Sequence, residues 1–491
     1  MADNKVNVKR NIAYDTFYRI LTTITPFITA PYIARVIGAE GIGIQSYTQS
    51  IQSYFVMFAS LGTAYYGSRE IARCGDDIHE RSRLFWEIEL MCVLTTSLCF
   101  LVYLPICFVS RSYGLIYSVL ALGVIGVAFD VSWFYAGLEK FRSIVARNTV
   151  VKIAEVVLLF TLVKSPDDLV IYIAIGIISA FISYLSYWPG LKKLVVRIPL
   201  SKLRIRRHFR GVFIYFIPTV ASSVYVLLDK PLIGWLTGDT TEVGYYQQAQ
   251  KFVDVLKSLV FTSINYVVGV RMSSLFAEGK HDEIRRKFDS SLNYIFFMGF
   301  GCAFGLGAIA RILIPVFLGP GYDEVVPLIY LFSPLVIIIG VSNCIEMQYF
   351  TPCGRRAESI RYLVVGAVTN LTLNLILIPH FKAFGATVAT VIAESVVTLQ
   401  YILNSKEYVT FSSLWRAGWR KLLSGLVMFI VVFGMGNLVL NEILLLALQI
   451  ICGILIYGVL LTVLRDRWLL TQISEVTARI GSRLKKGEKK A

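Results

Sequence analysis

Asp229 and Lys230 stand side by side in LLDKPLIGWL, an otherwise apolar run. An ionised group at membrane depth costs about 3 kcal/mol on insertion scales, so such groups face a cavity or a partner. The placement recurs with Arg19, Lys152, Lys251 and Lys257 among the cations and Asp15, Asp130 and Asp254 among the acids. Cations gathered within apolar spans suit an anionic cargo. Lys230 is the leading candidate, because Asp229 points about 100° away around a helix and neutralises it poorly. The acids Asp130, Asp229, Asp254 and Glu394 are candidates for binding a coupling ion, with proton and sodium both open.

A structural reading competes at several positions. Asp15 lies at i−4 from Arg19, Glu155 at i+3 from Lys152 and Asp254 at i+3 from Lys251, each able to form an intrahelical pair. Arg35 and Arg311 sit near span ends, where long cationic side chains snorkel to the interface. Polar stripes accompany the charges: Gln45, Gln49 and Gln52 on one helical face, then Gln247, Lys251, Asp254 and Ser258, then Asn370 and Asn374, then Thr387, Thr390, Glu394 and Thr398. Any one stripe reads equally well as hydrogen-bonding glue between helices. Together with five deep cations they favour a water-filled cavity with Arg19, Lys152, Lys230, Lys251, Lys257, Gln45, Gln49 and Gln247 as candidate substrate contacts.

These residues need long apolar elements to hold them. Apolar residues make up 56% of the 491 and charged ones 16%, against about 25% charged in an ordinary soluble domain. Windows of about 20 apolar residues begin near Asn11, Ile42, Leu84, Gly114, Ile144, Leu169, Val212, Val243, Ser290, Asp323, Ile360, Lys382, Leu422 and Glu442. No ten-residue alternation suggests a barrel. The expected fold is an all-α membrane protein with about 14 transmembrane helices, arranged as two six-helix lobes plus two C-terminal helices around a central cationic cavity.

Charge asymmetry orients it. With the N-terminus cytoplasmic, most Lys and Arg fall in cytoplasmic loops, and only Arg111, Lys164 and Lys382 fall outside. The outer loops carry Glu40, Asp167, Asp168, Asp239, Glu242, Asp323, Glu324 and Glu442. Both termini are therefore expected in the cytoplasm. The net charge of +16 needs no nucleic acid. KKLVVRIPLSKLRIRRHFR, from Lys192 to Arg210, reads as a cytoplasmic linker on anionic lipid heads. The first apolar stretch, with Asp15 and Arg19, does not read as a cleavable signal. The eight cysteines and four histidines form no metal or disulfide pattern.

Organisation follows from that linker and a weak repeat. GAEGIGIQSYTQS resembles GDTTEVGYYQQAQ, with Gly43 and Gly244 in matching places, and FYAGLEKFRSIVARN resembles YFTPCGRRAESIRYL. The expected division is 1–190 (N-terminal lobe, spans one to six), 191–211 (basic linker), 212–404 (C-terminal lobe), 405–464 (two additional spans) and 465–491 (basic tail). Parallel repeats about an axis along the membrane normal are an established transporter plan.

The segments PYIARVIGAEGIGIQSYTQSIQSYFVMFASLGTAYYGSREIAR, FDVSWFYAGLEKF, DKPLIGWLTGDTTEVGYYQQAQKFVDV and LTLNLILIPHFKAFGATVATVIAE together resemble the Wzx-type polysaccharide flippases. Those belong to the multidrug/oligosaccharidyl-lipid/polysaccharide exporter superfamily, with the MurJ-type lipid II flippases and the MATE drug exporters. The resemblance implies a multi-pass protein of the bacterial plasma membrane. Its substrate would be an undecaprenyl-diphosphate-linked oligosaccharide of the O-antigen, capsule or teichoic type, moved from the cytoplasmic to the outer leaflet by alternating access. Membrane lipids and a polysaccharide polymerase or glycosyltransferases would be its partners. A lipid II flippase is the nearer alternative. A MATE-like cation-coupled drug exporter is the more distant one, since it would want deep acids in excess. An enzyme of the glycosyltransferase or polymerase kind would need a large outer loop with catalytic groups, and every outer loop is short. No GxxxxGK[ST] motif suggests ATP coupling.

Overall fold

The computed structural model describes residues 8–75, 77–475 and 477; side chains at 8–24, 141–144 and 146, and at some positions between 215 and 270, lie outside that description. Among the described residues the secondary structure is helical, without strands. Contacts divide the chain into two units, 1–244 and 245–491. The basic segment expected as the lobe linker thus lies inside the first unit.

Unit 1 runs through α1 (Val8–Ser60), α2 (Thr63–Arg73), α3 (Ile78–Val109), α4 (Gly114–Gly126), α5 (Ser132–Gly137), α6 (Phe141–Leu162), α7 (Leu169–Leu191), α8 (Arg206–Leu227) and α9 (Asp229–Thr237). Gly38, at φ 75 and ψ 174, breaks α1 between the first two expected spans. A positive φ there costs glycine little. Asp77 caps α3, its carboxylate accepting from His79 N at 2.8 Å and Glu80 N at 3.3 Å. Between α6 and α7, Asp168 accepts from the backbone nitrogens of Lys164 and Ser165, both at 2.9 Å. That tight turn lays α6 against α7. Phe85, Ile88, Met91, Trp133, Phe134 and Tyr187 form one buried cluster, and Tyr103, Tyr117, Leu120, Val124 and Ile173 another.

The boundary between units falls within α10 (Thr240–Lys257). Unit 2 continues with α11 (Ser263–Ala277), α12 (His281–Leu318), α13 (Val325–Phe332), α14 (Leu335–Ile345), α15 (Arg356–Leu403), α16 (Phe411–Met435) and α17 (Glu442–Val463). Lys382, at φ 49 and ψ −130, breaks α15 between expected spans eleven and twelve. Non-glycine residues in such regions carry about 1–3 kcal/mol of strain. Met428, Val432, Tyr457, Leu461 and Ala308 form the buried contact of α16 and α17 with α12.

Nine described segments are long and apolar enough to cross a membrane, and the protein is a multi-pass membrane bundle. Exposed Leu98, Leu101 and Val102 on α3 and Ile443, Ile454 and Val459 on α17 are what a lipid-facing surface requires. Two of the nine contain the breaks at Gly38 and Lys382. Expected spans outside the nine are α6, α8 with α9, and α10 with α11. These are the helices that carry Lys152, Asp229, Lys230, Lys251, Asp254 and Lys257.

Candidate functional site

A cavity of about 510 Å³ lies inside unit 1, walled by α1, α4, α6 and α7. Gln45 and Gln49, one turn apart on α1, both reach it, and Gln45 Nε2 donates to Gln49 Oε1 at 3.3 Å. Gln52, the third member of that stripe, does not line the cavity. It is buried, and its Nε2 donates to Leu120 O at 3.1 Å. One stripe therefore serves as both cavity lining and glue, because its angular width spans two neighbours.

From α6 come Asn148, Lys152 and Glu155. Lys152 Nζ and Glu155 Oε1 are 2.6 Å apart, which realises the intrahelical pair foreseen from their spacing. The Tyr187 hydroxyl donates to Asn148 Oδ1 at 2.7 Å, so the Asn148 amide nitrogen keeps its two donors. Helix α7 contributes Tyr172, Ser179 and Ser183. At the end of α6, Tyr32 OH donates to Val163 O at 2.7 Å, fastening that helix to α1. The wall thus offers amides and hydroxyls, which both donate and accept, and a charge pair that cancels within itself.

The other expected contacts distribute over both units. Asp229 is buried and Lys230 half-buried at the start of α9 in unit 1, with both side chains engaged. The Asp130 carboxylate accepts from Ser132 N at 3.0 Å where the chain leaves α4 for α5. Arg19 and Asp15 have side chains outside those described. Unit 2 holds Gln247, Lys251, Asp254, Lys257 and Glu394. There Asp254 pairs with Lys257 at 2.5 Å, and Lys251 and Glu394 are engaged as well. The stripes of spans eleven and twelve meet each other: Asn374 Nδ2 donates to Asn370 Oδ1 at 3.0 Å, and Asn370 Nδ2 to Thr390 Oγ1 at 3.4 Å. Thr398 Oγ1 donates to Ile338 O at 3.1 Å.

Four buried ionic groups, Glu87, Glu89, Lys421 and Asp466, escaped the reading of the sequence. Glu87 on α3 is fully buried; it accepts from Arg83 Nε at 3.0 Å, Arg204 N at 2.7 Å and Arg207 Nε at 2.7 Å. Its Oε2 also meets His208 Nε2 at 2.7 Å, and His208 Nδ1 meets Tyr66 OH at 2.7 Å. Trp86 Nε1 donates to Val196 O at 3.0 Å, and Val196 N to Ser82 Oγ at 2.9 Å. The basic segment is therefore strapped along α3, while Lys192, Lys193, Arg197 and Lys202 point outward. Nearby, burial and the Arg81 guanidinium hold Lys140 below the ordinary lysine pKa. Glu89, 3% exposed, has no hydrogen-bond partner on either oxygen among the described residues. Lys421, fully buried in α16, donates to Asp466 Oδ2 and Asn293 Oδ1, both at 2.9 Å, and to Ala417 O at 2.8 Å. The signal for the first two was present in FWEIELMCVL, where acids interrupt an apolar run.

The model of the family described as "Polysaccharide biosynthesis protein" matches residues 8–276. A protein of Escherichia coli (strain K12) named for O-antigen transport is 25% identical over 420 residues, covering 83% of this chain and 99% of that protein. Among solved structures, the lipid II flippase MurJ in an inward closed conformation matches with a TM-score of 0.73 at 15% identity, over 93% of this chain and 100% of that one. An inward-facing multidrug resistance MATE family transporter of the MOP superfamily matches at 0.56 and 11% identity, over 83% and 95%. At these identities the two structures establish a shared helical membrane fold.

Proposed function

The chain belongs to the polysaccharide biosynthesis protein family, and we propose that it is a Wzx-type flippase of the MOP superfamily. It moves undecaprenyl-diphosphate-linked oligosaccharide units to the outer leaflet by alternating access and catalyses no covalent chemistry. The observation that carries this reading is the cavity in unit 1, lined by amides and hydroxyls within a bundle whose outer face is apolar. Each glycan hydroxyl costs roughly 4–8 kcal/mol to strip into hydrocarbon, and the diphosphate adds a larger desolvation penalty. A protein that replaces water around the head, leaving the lipid tail in the bilayer, removes that barrier.

The topology proposed with it has fourteen spans with both termini in the cytoplasm, and lobes 1–190 and 212–404 joined by the basic segment. The deep cations Arg19, Lys230, Lys251 and Lys257 serve the diphosphate, and Asp130, Asp229, Asp254 or Glu394 serve a coupling proton or sodium ion. A bacterial plasma-membrane location and a polymerase or glycosyltransferase partner belong to the same reading. The test is depletion of the protein followed by analysis of lipid-linked intermediates. Accumulation of a complete oligosaccharide unit on the cytoplasmic leaflet is the expected result. Accumulation of lipid II instead would transfer the protein to the peptidoglycan pathway, and unchanged lipid pools would end the flippase reading.

A further inference from the structure

We propose that the cavity walled by α1, α4, α6 and α7 is a subsite for an uncharged sugar ring, a hexose or N-acetylhexosamine, and not the seat of the diphosphate. The proposal deepens the flippase reading and rests on it. Its first support is charge. Among the described residues, Lys152 and Glu155 are the charged ones in the cavity wall, and they neutralise each other at 2.6 Å. A diphosphate entering there would have to displace the Glu155 carboxylate from Lys152 and then remain beside it, with like charges facing in a partly desolvated space. An uncharged ring meets no such opposition.

The second support is the kind of polar group present. Gln45, Gln49, Asn148, Ser179 and Ser183 supply amides and hydroxyls, each able to match a sugar hydroxyl or acetamido group as donor or acceptor. The Asn148 carbonyl oxygen is held by Tyr187, which fixes the plane of its amide. Tyr172 adds an aromatic ring to the same wall. Pockets of roughly 300–1,000 Å³ with a few placed polar groups are the usual size for small organic ligands, and about 510 Å³ suits a mono- or disaccharide.

The third support is Gly176. It lines the cavity from within α7, has an ordinary helical backbone, and a Cβ built on it meets no atom within 4 Å. The missing side chain is not required by the backbone or by packing, so its effect is to leave room. A larger residue at this position fills the cavity without disturbing the helix.

The experiment uses the purified full chain in lipid nanodiscs, with glucose and N-acetylglucosamine as probes in saturation-transfer NMR and inorganic pyrophosphate as competitor. Sugar should receive saturation and keep it at equimolar pyrophosphate. Gly176→Leu and Asn148→Leu should each weaken sugar binding roughly tenfold, the loss of about one good hydrogen bond or of the space itself. Gly458→Leu, at a glycine of α17 that also has open space around it, should leave binding unchanged. Displacement of sugar by pyrophosphate, equal signals in Gly176→Leu and Gly458→Leu, or no signal in the unaltered protein would each overturn the proposal. Flipping of a lipid-linked oligosaccharide is measured in parallel in proteoliposomes. Sugar binding without any flipping would sink the flippase reading and leave the subsite standing. Normal flipping by Gly176→Leu would sink the subsite alone.

Discussion

Gly43 and Gly244 pack backbone against backbone: a Cβ on Gly43 would stand 3.0 Å from the amide nitrogen of Gly244, and one on Gly244 would stand 3.2 Å from that of Gly43. The same substitutions would also run into the carbonyls of Thr240 and Ala39, respectively. These are the two glycines that occupy matching places in the GAEGIGIQ and GDTTEVGYY repeats. The contact is therefore reciprocal in sequence as well as in space, and it explains why each repeat carries a glycine where its helix begins.

Gly43→Ala and Gly244→Ala should each destabilise the protein by about 1–3 kcal/mol, since the added carbon overpacks against immobile backbone. Gly176→Ala should be neutral or stabilising by up to about 1 kcal/mol, because it improves helix propensity in open space. Thermal unfolding in detergent measures all three. An unshifted transition for Gly43→Ala would mean the two helices do not approach this closely.

The Glu87 network makes a prediction about the basic segment. Glu87→Ala removes the acceptor for Arg204 N, Arg207 and Arg83 and leaves His208 buried against an empty site, at a cost of about 1–3 kcal/mol. Glu87→Gln keeps one carbonyl acceptor and should lose less. Limited trypsin digestion of solubilised protein, read at Lys192 to Arg210, should be slowest in the unaltered chain, intermediate in Glu87→Gln and fastest in Glu87→Ala. Equal rates would mean the segment is held by something other than Glu87.

Lys421 and Asp466 form a buried pair whose members have unequal further duties. Asp466 Oδ1 also accepts from Leu469 N at 3.0 Å, and the lysine ammonium lies 6.0 Å from the centre of the Trp468 ring. Lys421→Met should cost about 3–5 kcal/mol because it strands a buried carboxylate. Adding Asp466→Asn removes the charge and keeps the bond to Leu469, so the double variant should regain most of the loss. Thermal midpoints of the two variants decide it, and a double variant no better than the single would refute the charge argument.

How much of this was legible in the sequence depended on the range of the interaction. Helices, their membrane character and the tight breaks at Gly38 and Lys382 follow from local apolar periodicity and short connections, so the windows near Ile42 and Lys382 landed on them. The Lys152–Glu155 pair was readable because both partners lie on one helix, three residues apart. For Asp254 the expected partner was Lys251, three residues before it, and the structure pairs it with Lys257, three residues after it, a spacing that local rules favour equally. The Glu87, His208 and Tyr66 chain joins residues up to 142 positions apart, and no spacing rule reaches that far. The same holds for Gln49 and Gln52, one lining the cavity and the other bonded to Leu120 O, 68 positions away.

The neutrality of the cavity in unit 1 can be altered by a single atom change, which makes its electrostatics testable apart from its shape. Glu155→Gln leaves Lys152 uncompensated and turns a neutral wall into a cationic one. Both side chains are partly exposed, at 28% and 21%, so the effect is screened and should amount to about 1 kcal/mol or less. Inorganic pyrophosphate should then bind several-fold more tightly than to the unaltered protein, and that gain should fade as salt shortens the screening length. Lys152→Met/Glu155→Gln restores neutrality and should return pyrophosphate binding to its original level while sugar binding persists. Titrations at low and high salt give both comparisons. Pyrophosphate binding by the double variant as tight as by Glu155→Gln would mean that the gain does not come from Lys152, and a Glu155→Gln protein indistinguishable from the unaltered one would mean that Lys152 does not face the cavity space.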